Sequence, residues 1–254
     1  MYGAIIGDLA GSIFEYEQTK KIDNNVIEKL ITDKSFYSDD TILTVAILDA
    51  IIHNGDYGEY LKMYIKNYEN YSPKFKPYFD TIFSPNLIKW ANSDKVGNSI
   101  GNGAMMRISP VGFMFNSEID VIKNAKAATI PTHNSYESIE CATIIALVIF
   151  YLRNGLTKEE IYKRLNITSD YKKVTKFNKT CYETIDNCLY ILYNTDSFEE
   201  AIKISVFIGG DTDTNAAIVG SMAEAAFGID KKLIRKANEK IPKKFVKVLK
   251  NYYN

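Results

Sequence analysis

The sequence predicts an all-α fold: one compact helical bundle over residues 1–254, with its chemistry on loops at helix ends. Three observations carry that expectation. Apolar residues recur at helical spacing in nearly every segment. No stretch alternates apolar and polar residues as a half-buried strand would. Gly3, Gly7 and Gly11 repeat every fourth residue within an apolar run, which stacks them on one helix face and lets another backbone come close.

The elements follow in order. Residues 3–14 form the glycine-faced helix, which carries Asp8 and ends in Ser12-Ile13-Phe14-Glu15. Residues 16–36 are polar and irregular, with a short helix expected around 25–30. Ser38-Asp39-Asp40-Thr41 precedes an apolar helix over 42–52, and 57–68 is amphipathic. The stretch 72–77, with Pro73 and Pro77, breaks the pattern before a short helix at 87–91. Residues 95–103 are a loop rich in glycine and asparagine. A helix begins at 104–107 and should be kinked or interrupted by Pro110. Helices are then expected at 118–128, 135–153, 157–165, 173–193 and 197–208. After Gly209-Gly210, small residues over 216–228 form another, and helices at 230–239 and 243–252 close the chain.

Composition narrows the function. With 46% hydrophobic and 24% charged residues, the 254-residue chain suits a globular protein with a sizeable core. Lys+Arg and Asp+Glu both number 31, so bulk charge gives no reason to bind nucleic acid or an anionic membrane. The longest apolar run, 142–152, is too short to cross a bilayer and reads as a buried core helix. The first residues lack a basic segment and carry Asp8 too early for a secretory signal. Cys141, Cys181 and Cys188 follow no metal or redox spacing. A cytoplasmic monomer with reduced thiols and no membrane partner is therefore expected.

Two acidic motifs point to chemistry. Gly209-Gly210-Asp211-Thr212-Asp213-Thr214 places a turn and two carboxylates at the mouth of a helix. One Asp would suffice as a cap for the free N–H groups there. Ser38-Asp39-Asp40-Thr41 has the same form, and adjacent aspartates repel unless a cation or a proton resolves the charge. Together the motifs offer four carboxylates and several hydroxyls, hard oxygen ligands of the kind Mg²⁺, Mn²⁺ or Ca²⁺ prefer, and two divalent ions best explain their concentration. Glu15 is a further ligand or general base, or else a surface residue at a helix end. The loop Gly101-Asn102-Gly103 can offer backbone N–H groups to a phosphate. Arg107 is expected to pair with an acidic residue in the core, with a phosphate as the alternative. His133 follows a Pro-Thr turn where loops form pockets, whereas His53 ends a helix and is taken as structural.

The motifs Gly7-Asp8-Leu9-Ala10-Gly11-Ser12-Ile13-Phe14-Glu15, Ser38-Asp39-Asp40-Thr41, Gly101-Asn102-Gly103-Ala104-Met105-Met106-Arg107, Thr132-His133 and Gly209-Gly210-Asp211-Thr212-Asp213-Thr214 occur in this order along almost the whole chain. In that arrangement the sequence resembles the ADP-ribosylglycohydrolase family. The resemblance implies a compact all-α protein that binds two Mg²⁺ or Mn²⁺ ions and cleaves the glycosidic bond of ADP-ribose from a modified protein, nucleic acid or small molecule. It also implies that Ser38, Asp39, Asp40, Asp211, Asp213 and Thr214 hold the metals, and that Glu15 lies beside them. Gly101, Asn102, Gly103, Ala104 and Met105 would surround the diphosphate and distal ribose, and His133 would contact substrate. Asp39, Asp40 and Glu15 would be catalytic. Ser38 stands where many members have Thr, and either hydroxyl can ligate. The variable segment 57–95 would shape the entrance. Competing readings are an ADP-ribose-binding module without hydrolysis, a two-metal hydrolase of another substrate such as a phosphoester, and a structural helical protein.

Overall fold

The computed structural model describes residues 1–15, 28–73, 81–168, 170–172, 174, 176–253, with the side chain of residue 253 left aside. Its centre is a pair of helices from opposite ends of the chain. Helix α1 (Tyr2–Gly11) is buried along its whole length. Helix α12 (Thr212–Phe227) is buried from Thr212 to Ala223. The glycine face of α1 explains the contact. A Cβ on Gly7 would lie 2.0 Å from the Ala216 carbonyl oxygen, and one on Gly11 would lie 2.3 Å from that of Thr212. The two backbones therefore touch, as the glycine spacing predicts. At the far end, the Gly3 N–H donates to Glu224 at 2.7 Å.

Around this pair stand α2 (Asp39–Ile52), α8 (Tyr136–Arg153) and α11 (Phe198–Phe207). Both α2 and α8 are apolar nearly all round, as helices inside a core should be. Outside lie α3 (Tyr57–Tyr68), α4 (Pro85–Ala91), α7 (Glu118–Thr129), α9 (Lys158–Arg164), α10 (Cys181–Tyr193), α13 (Lys231–Lys240) and α14 (Lys243–Tyr253). Helix α14 sits against α2, where Phe245 packs on the rings of Tyr37, Tyr64 and Tyr68. Buried residues such as Ile5, Ile6 and Leu9 join one apolar cluster, each contributing about 2 kcal/mol.

Among the described residues there is no strand, only isolated bridges pairing Asn98 with His133 and Gly101 with Thr180. The all-α expectation holds. No described helix is long and apolar enough to cross a membrane, and 142–152 lies within the core helix α8. All three cysteines are buried free thiols.

Two expected elements differ, and a third is settled between its alternatives. Of the short helix at 25–30, residues 25–27 lie outside the described ones and 28–30 are not helical. The helix expected over 173–193 begins only at Cys181. Thr180 and Glu183 form a reciprocal capping box there, which fixes the start, and the described residues before it are loop. Pro110 interrupts the helix begun at 104–107, as one of the two expected outcomes, and leaves two short helices. Helix α5 (Gly103–Met106) ends before it, and α6 (Ser109–Met114) carries it in the first turn, where a missing N–H costs nothing. Residues 74–77 of the proline-bounded break lie outside the described residues.

Candidate active site

Helix α1 delivers the first acidic group. Asp8 is fully buried and reaches across to the start of α2. Its carboxylate accepts from the Ser38 N–H at 2.9 Å, the Thr41 N–H at 3.1 Å and the Thr41 hydroxyl at 2.5 Å. Asp8 thus holds the loop that carries Asp39 and Asp40. Burial pushes the Asp8 carboxyl up to about 6, against the pull of those donors.

Ser38 is the cap of α2, so one expectation of an ordinary helix start is met. Its hydroxyl accepts from the Asp40 N–H at 3.2 Å and lies 3.2 Å from Asp40 Oδ2. The other Asp40 oxygen, Oδ1, is buried and has no hydrogen-bond partner among the described residues. Burial and the charges of Asp8, Asp39 and Asp211 hold the Asp40 carboxyl well above its ordinary range. Asp39 is half-buried at the cavity wall. Burial, then Asp8 and Asp211, push it up to about 7.

The second motif begins at two glycines with φ of 78° and 79°. A side chain at Gly210 would be strained by that φ and would also meet Asn178 Oδ1 at 2.2 Å. Asp211 occupies the cap position of α12, yet its side chain makes no capping bond. It accepts instead from Asn102 Nδ2 at 2.7 Å, tying the acidic cluster to the glycine loop. The Asp211 N–H donates to Asn178 Oδ1 at 2.9 Å. Oxygens of Glu15, Asp211 and Asp213 lie within 4.8 Å of one another. Asp211 is raised, chiefly by burial. Asp213 is held well above its ordinary range by burial and then by Glu15, Asp40 and Asp211.

A set of oxygen donors this crowded, with an unpartnered buried carboxylate oxygen, fits a hard divalent cation. Protonation is the other way to relieve it, and the upward pKa shifts express that same repulsion.

The cluster forms the floor of a cavity of about 690 Å³. Gly101, Asn102, Gly103 and His133 form one wall, and Ile82, Phe83, Leu87 and Trp90 another. That size and mixed lining suit a small organic ligand with a few polar groups. The glycine loop is zipped to the His133 turn: the Gly97 N–H donates to the Pro131 carbonyl and the Ser99 N–H to that of Thr132.

The sequence profile of the ADP-ribosylglycohydrolases matches residues 1–252. The chain belongs to the ADP-ribosylglycohydrolase family. Membership makes it an enzyme of the class that hydrolyses ADP-ribose linkages. It is 21% identical to the ADP-ribosylarginine hydrolase Tri1 of Pseudomonas putida, over 90% of this chain and 70% of that one. It is also 21% identical to the mouse ADP-ribosylhydrolase ARH3, over 90% of this chain and 82% of that one. The ADP-ribosyl-[dinitrogen reductase] glycohydrolase of Rhodospirillum rubrum is 28% identical over 51% of this chain and 47% of its own length. A solved structure described as an ADP-ribosylglycohydrolase-related protein complex shares the fold, with a TM-score of 0.75 at 18% identity, over 99% of this chain and 94% of that one.

Against the family motifs, the cavity gathers Glu15, Ser38, Asp39, Asp40, Gly101, Asn102, Gly103, His133, Asp211, Asp213 and Thr214. Ala104 and Met105 are not on its wall. Helix α5 turns both side chains into the core, and Met106 faces the cavity in their place. Arg107 departs from its expected acidic partner. Among the described residues it makes no ion pair and donates to the Thr132 hydroxyl, while Asp39 attracts it at longer range. With Lys179, it puts positive charge on a cavity where the sequence offered no basic cluster. From segment 57–95, Thr81 to Leu87 and Trp90 reach the cavity, in keeping with an entrance. His53 closes α2 beside Asp49, outside the cavity.

Two contributors escaped the sequence reading. Asp8 is not among the expected site residues, although a carboxylate inside a glycine-faced apolar run signals a buried acceptor. Asn178 gave no signal, because its segment was expected to be helical. Its amide donates to the Thr184 hydroxyl and to Asn215 Oδ1, while its oxygen accepts from Asp211.

Proposed function

We propose that this chain is a divalent-cation-dependent hydrolase that cuts the glycosidic bond joining ADP-ribose to a protein, nucleic acid or small molecule. The observation that carries the reading is the Asn102–Asp211 hydrogen bond, which joins the glycine loop and the acidic cluster on one cavity. A ligand lying on the loop has its far end over the carboxylates.

Ser38, Asp39, Asp40, Asp211, Asp213 and Thr214 would hold two Mg²⁺ or Mn²⁺ ions, which supply positive charge that neutralises the cluster and orients ribose hydroxyls. The chain's own groups do the rest. As the bond at the anomeric carbon lengthens, the ring gains oxocarbenium character. Asp39 or Asp40, both on the cavity lining, handles the proton at the departing atom of the leaving group. Glu15 takes a proton from the water that attacks the anomeric carbon. The products are free ADP-ribose and the unmodified acceptor. Each proton transfer contributes on the order of 10²–10⁴ in rate. Excluding bulk water is the task of the Phe83 and Trp90 wall.

The test is release of ADP-ribose from arginine-, serine- and nucleic-acid-linked conjugates and from O-acetyl-ADP-ribose, with Mn²⁺ or Mg²⁺ and then with chelator. Metal-dependent release from one conjugate, lost in Asp213→Ala, is the expected result and names the leaving group. Turnover that survives chelation or Asp213→Ala would overturn the reading. Binding of ADP-ribose without release from any conjugate would point to a binding module. Phosphoester cleavage that depends on Asp211 would point to a different substrate.

A further inference from the structure

Behind the glycine loop, Arg107, Thr132 and His133 form a chain of hydrogen bonds whose hydrogens can be counted. Arg107 Nη2 donates to Thr132 Oγ1 at 2.5 Å. The same oxygen lies 2.6 Å from His133 Nδ1. All three residues are buried, with exposures of 1%, 4% and 7%. Among the described residues, Thr132 Oγ1 has no further partner.

A guanidinium can only donate, so Thr132 Oγ1 accepts from Arg107. That leaves two arrangements for the second bond. With a hydrogen on Nδ1, both Arg107 and His133 would donate to one oxygen, and the hydroxyl hydrogen would be buried without an acceptor. With Nδ1 bare, the hydroxyl donates to it and each hydrogen along the chain is placed. The second arrangement leaves the imidazole hydrogen on Nε2.

We infer that Arg107 and Thr132 are positioning residues that lock His133 in the neutral tautomer with its hydrogen on Nε2, making it a fixed hydrogen-bond donor to an oxygen of the bound substrate. The edge that carries Nε2 faces the ligand wall. A Cβ on Gly101 or Gly103 would lie 3.5 Å from that nitrogen, and His133 lines the cavity. No described residue accepts from Nε2. Nε2 lies on the cavity, where an oxygen of a bound ligand can accept from it. Beside the Arg107 guanidinium, the matching chemistry is an anionic oxygen, such as that of a diphosphate. Burial and the charge of Arg107 both hold the imidazole well below its ordinary range, which keeps it from donating at both nitrogens. The inference rests on the ADP-ribose reading only for the identity of that acceptor.

The experiment reads the tautomer directly. The full chain is labelled with ¹⁵N-histidine and examined without ligand at pH 7.5 by long-range ¹H–¹⁵N correlation. There are two histidines, and His53→Gln assigns the signals. The expected His133 pattern has a bare Nδ1 and a protonated Nε2. A hydrogen on Nδ1, or a mixture of tautomers, in the wild-type protein overturns the inference without recourse to any variant or turnover. ADP-ribose is then titrated calorimetrically. Thr132→Val should weaken binding about threefold to tenfold and mix the tautomers, whereas Thr132→Ser should restore both. Unchanged affinity and tautomer in Thr132→Val, or no recovery in Thr132→Ser, would also refute it. Because the spectrum needs no substrate, its outcome is independent of whether the enzyme cuts the conjugates named above.

Discussion

Removing one charge from the acidic cluster should stabilise the metal-free protein while abolishing its activity. Asp39→Asn is the substitution of choice, because it keeps the shape of the side chain and leaves the Asp8 and Ser38 contacts in place. The Asp39 carboxyl is held at about 7 in the folded chain, against 3.8 as the ordinary value. A carboxyl raised on folding adds stability below its unfolded value, and that contribution disappears as pH rises through the folded value. By pH 8 the full loss is about 4 kcal/mol. Asp39 is half-buried, so cavity water screens it and about 2–3 kcal/mol is the better figure. Asparagine suffers none of this loss. Urea unfolding in EDTA, followed by far-UV circular dichroism, should therefore find Asp39→Asn more stable than wild type at pH 8 by about that amount. The gap should narrow at pH 6.5 and again at pH 5. Added Mn²⁺ should favour the wild type, which keeps the extra carboxylate. An Asp39→Asn protein less stable than wild type at pH 8 without metal, or a gap indifferent to pH, would refute the view that burial and neighbouring charge govern this group.

Further predictions come from the packing. Gly7→Ala forces a Cβ to 2.0 Å from the Ala216 carbonyl oxygen, so α1 must move off α12. It should cost roughly 3 kcal/mol or more, read as a fall in thermal midpoint together with loss of turnover. Asp8→Ala strips the Ser38 and Thr41 N–H groups of their acceptor. A loss of about 3 kcal/mol is expected in denaturant melts, along with weaker Mn²⁺ binding by calorimetry. Asn102→Ala breaks the bonds to Asp211 and to the Asn178 carbonyl. Its KM for the conjugate should rise about tenfold or more, with thermal stability changed by only about 1 kcal/mol.

Much of this molecule was legible in the sequence because its signals are local. Glycines every fourth residue specify a backbone contact whatever the partner, and α12 turned out to be that partner. Paired aspartates beside hydroxyls announce a repulsion that something must relieve, and the unpartnered Asp40 oxygen sits where it is felt. What the sequence hid depends on distance. Periodicity across 173–193 masked the capping box at Thr180, so the loop holding Asn178 went unseen. Nothing near Arg107 in the chain names Thr132 as its partner, and only the fold brings that hydroxyl to the guanidinium. Ala104 and Met105 share a motif with Gly103 yet turn away from the cavity, because a short helix rotates neighbours to different faces.

The seam between α1 and α12 also sets an order of assembly. Residues 3–11 are made well before α12, and their glycine face fits a backbone that emerges from the ribosome about two hundred residues later. Contacts of such long sequence separation form slowly, since the intervening chain must be closed into a loop before they contribute. Until then Asp8 and Glu15 stand apart from Asp211 and Asp213, and the crowded cluster of carboxylates does not exist. A nascent chain interrupted before α12 has no means of completing it. Assembly of the acidic cluster thereby waits on the synthesis of α12.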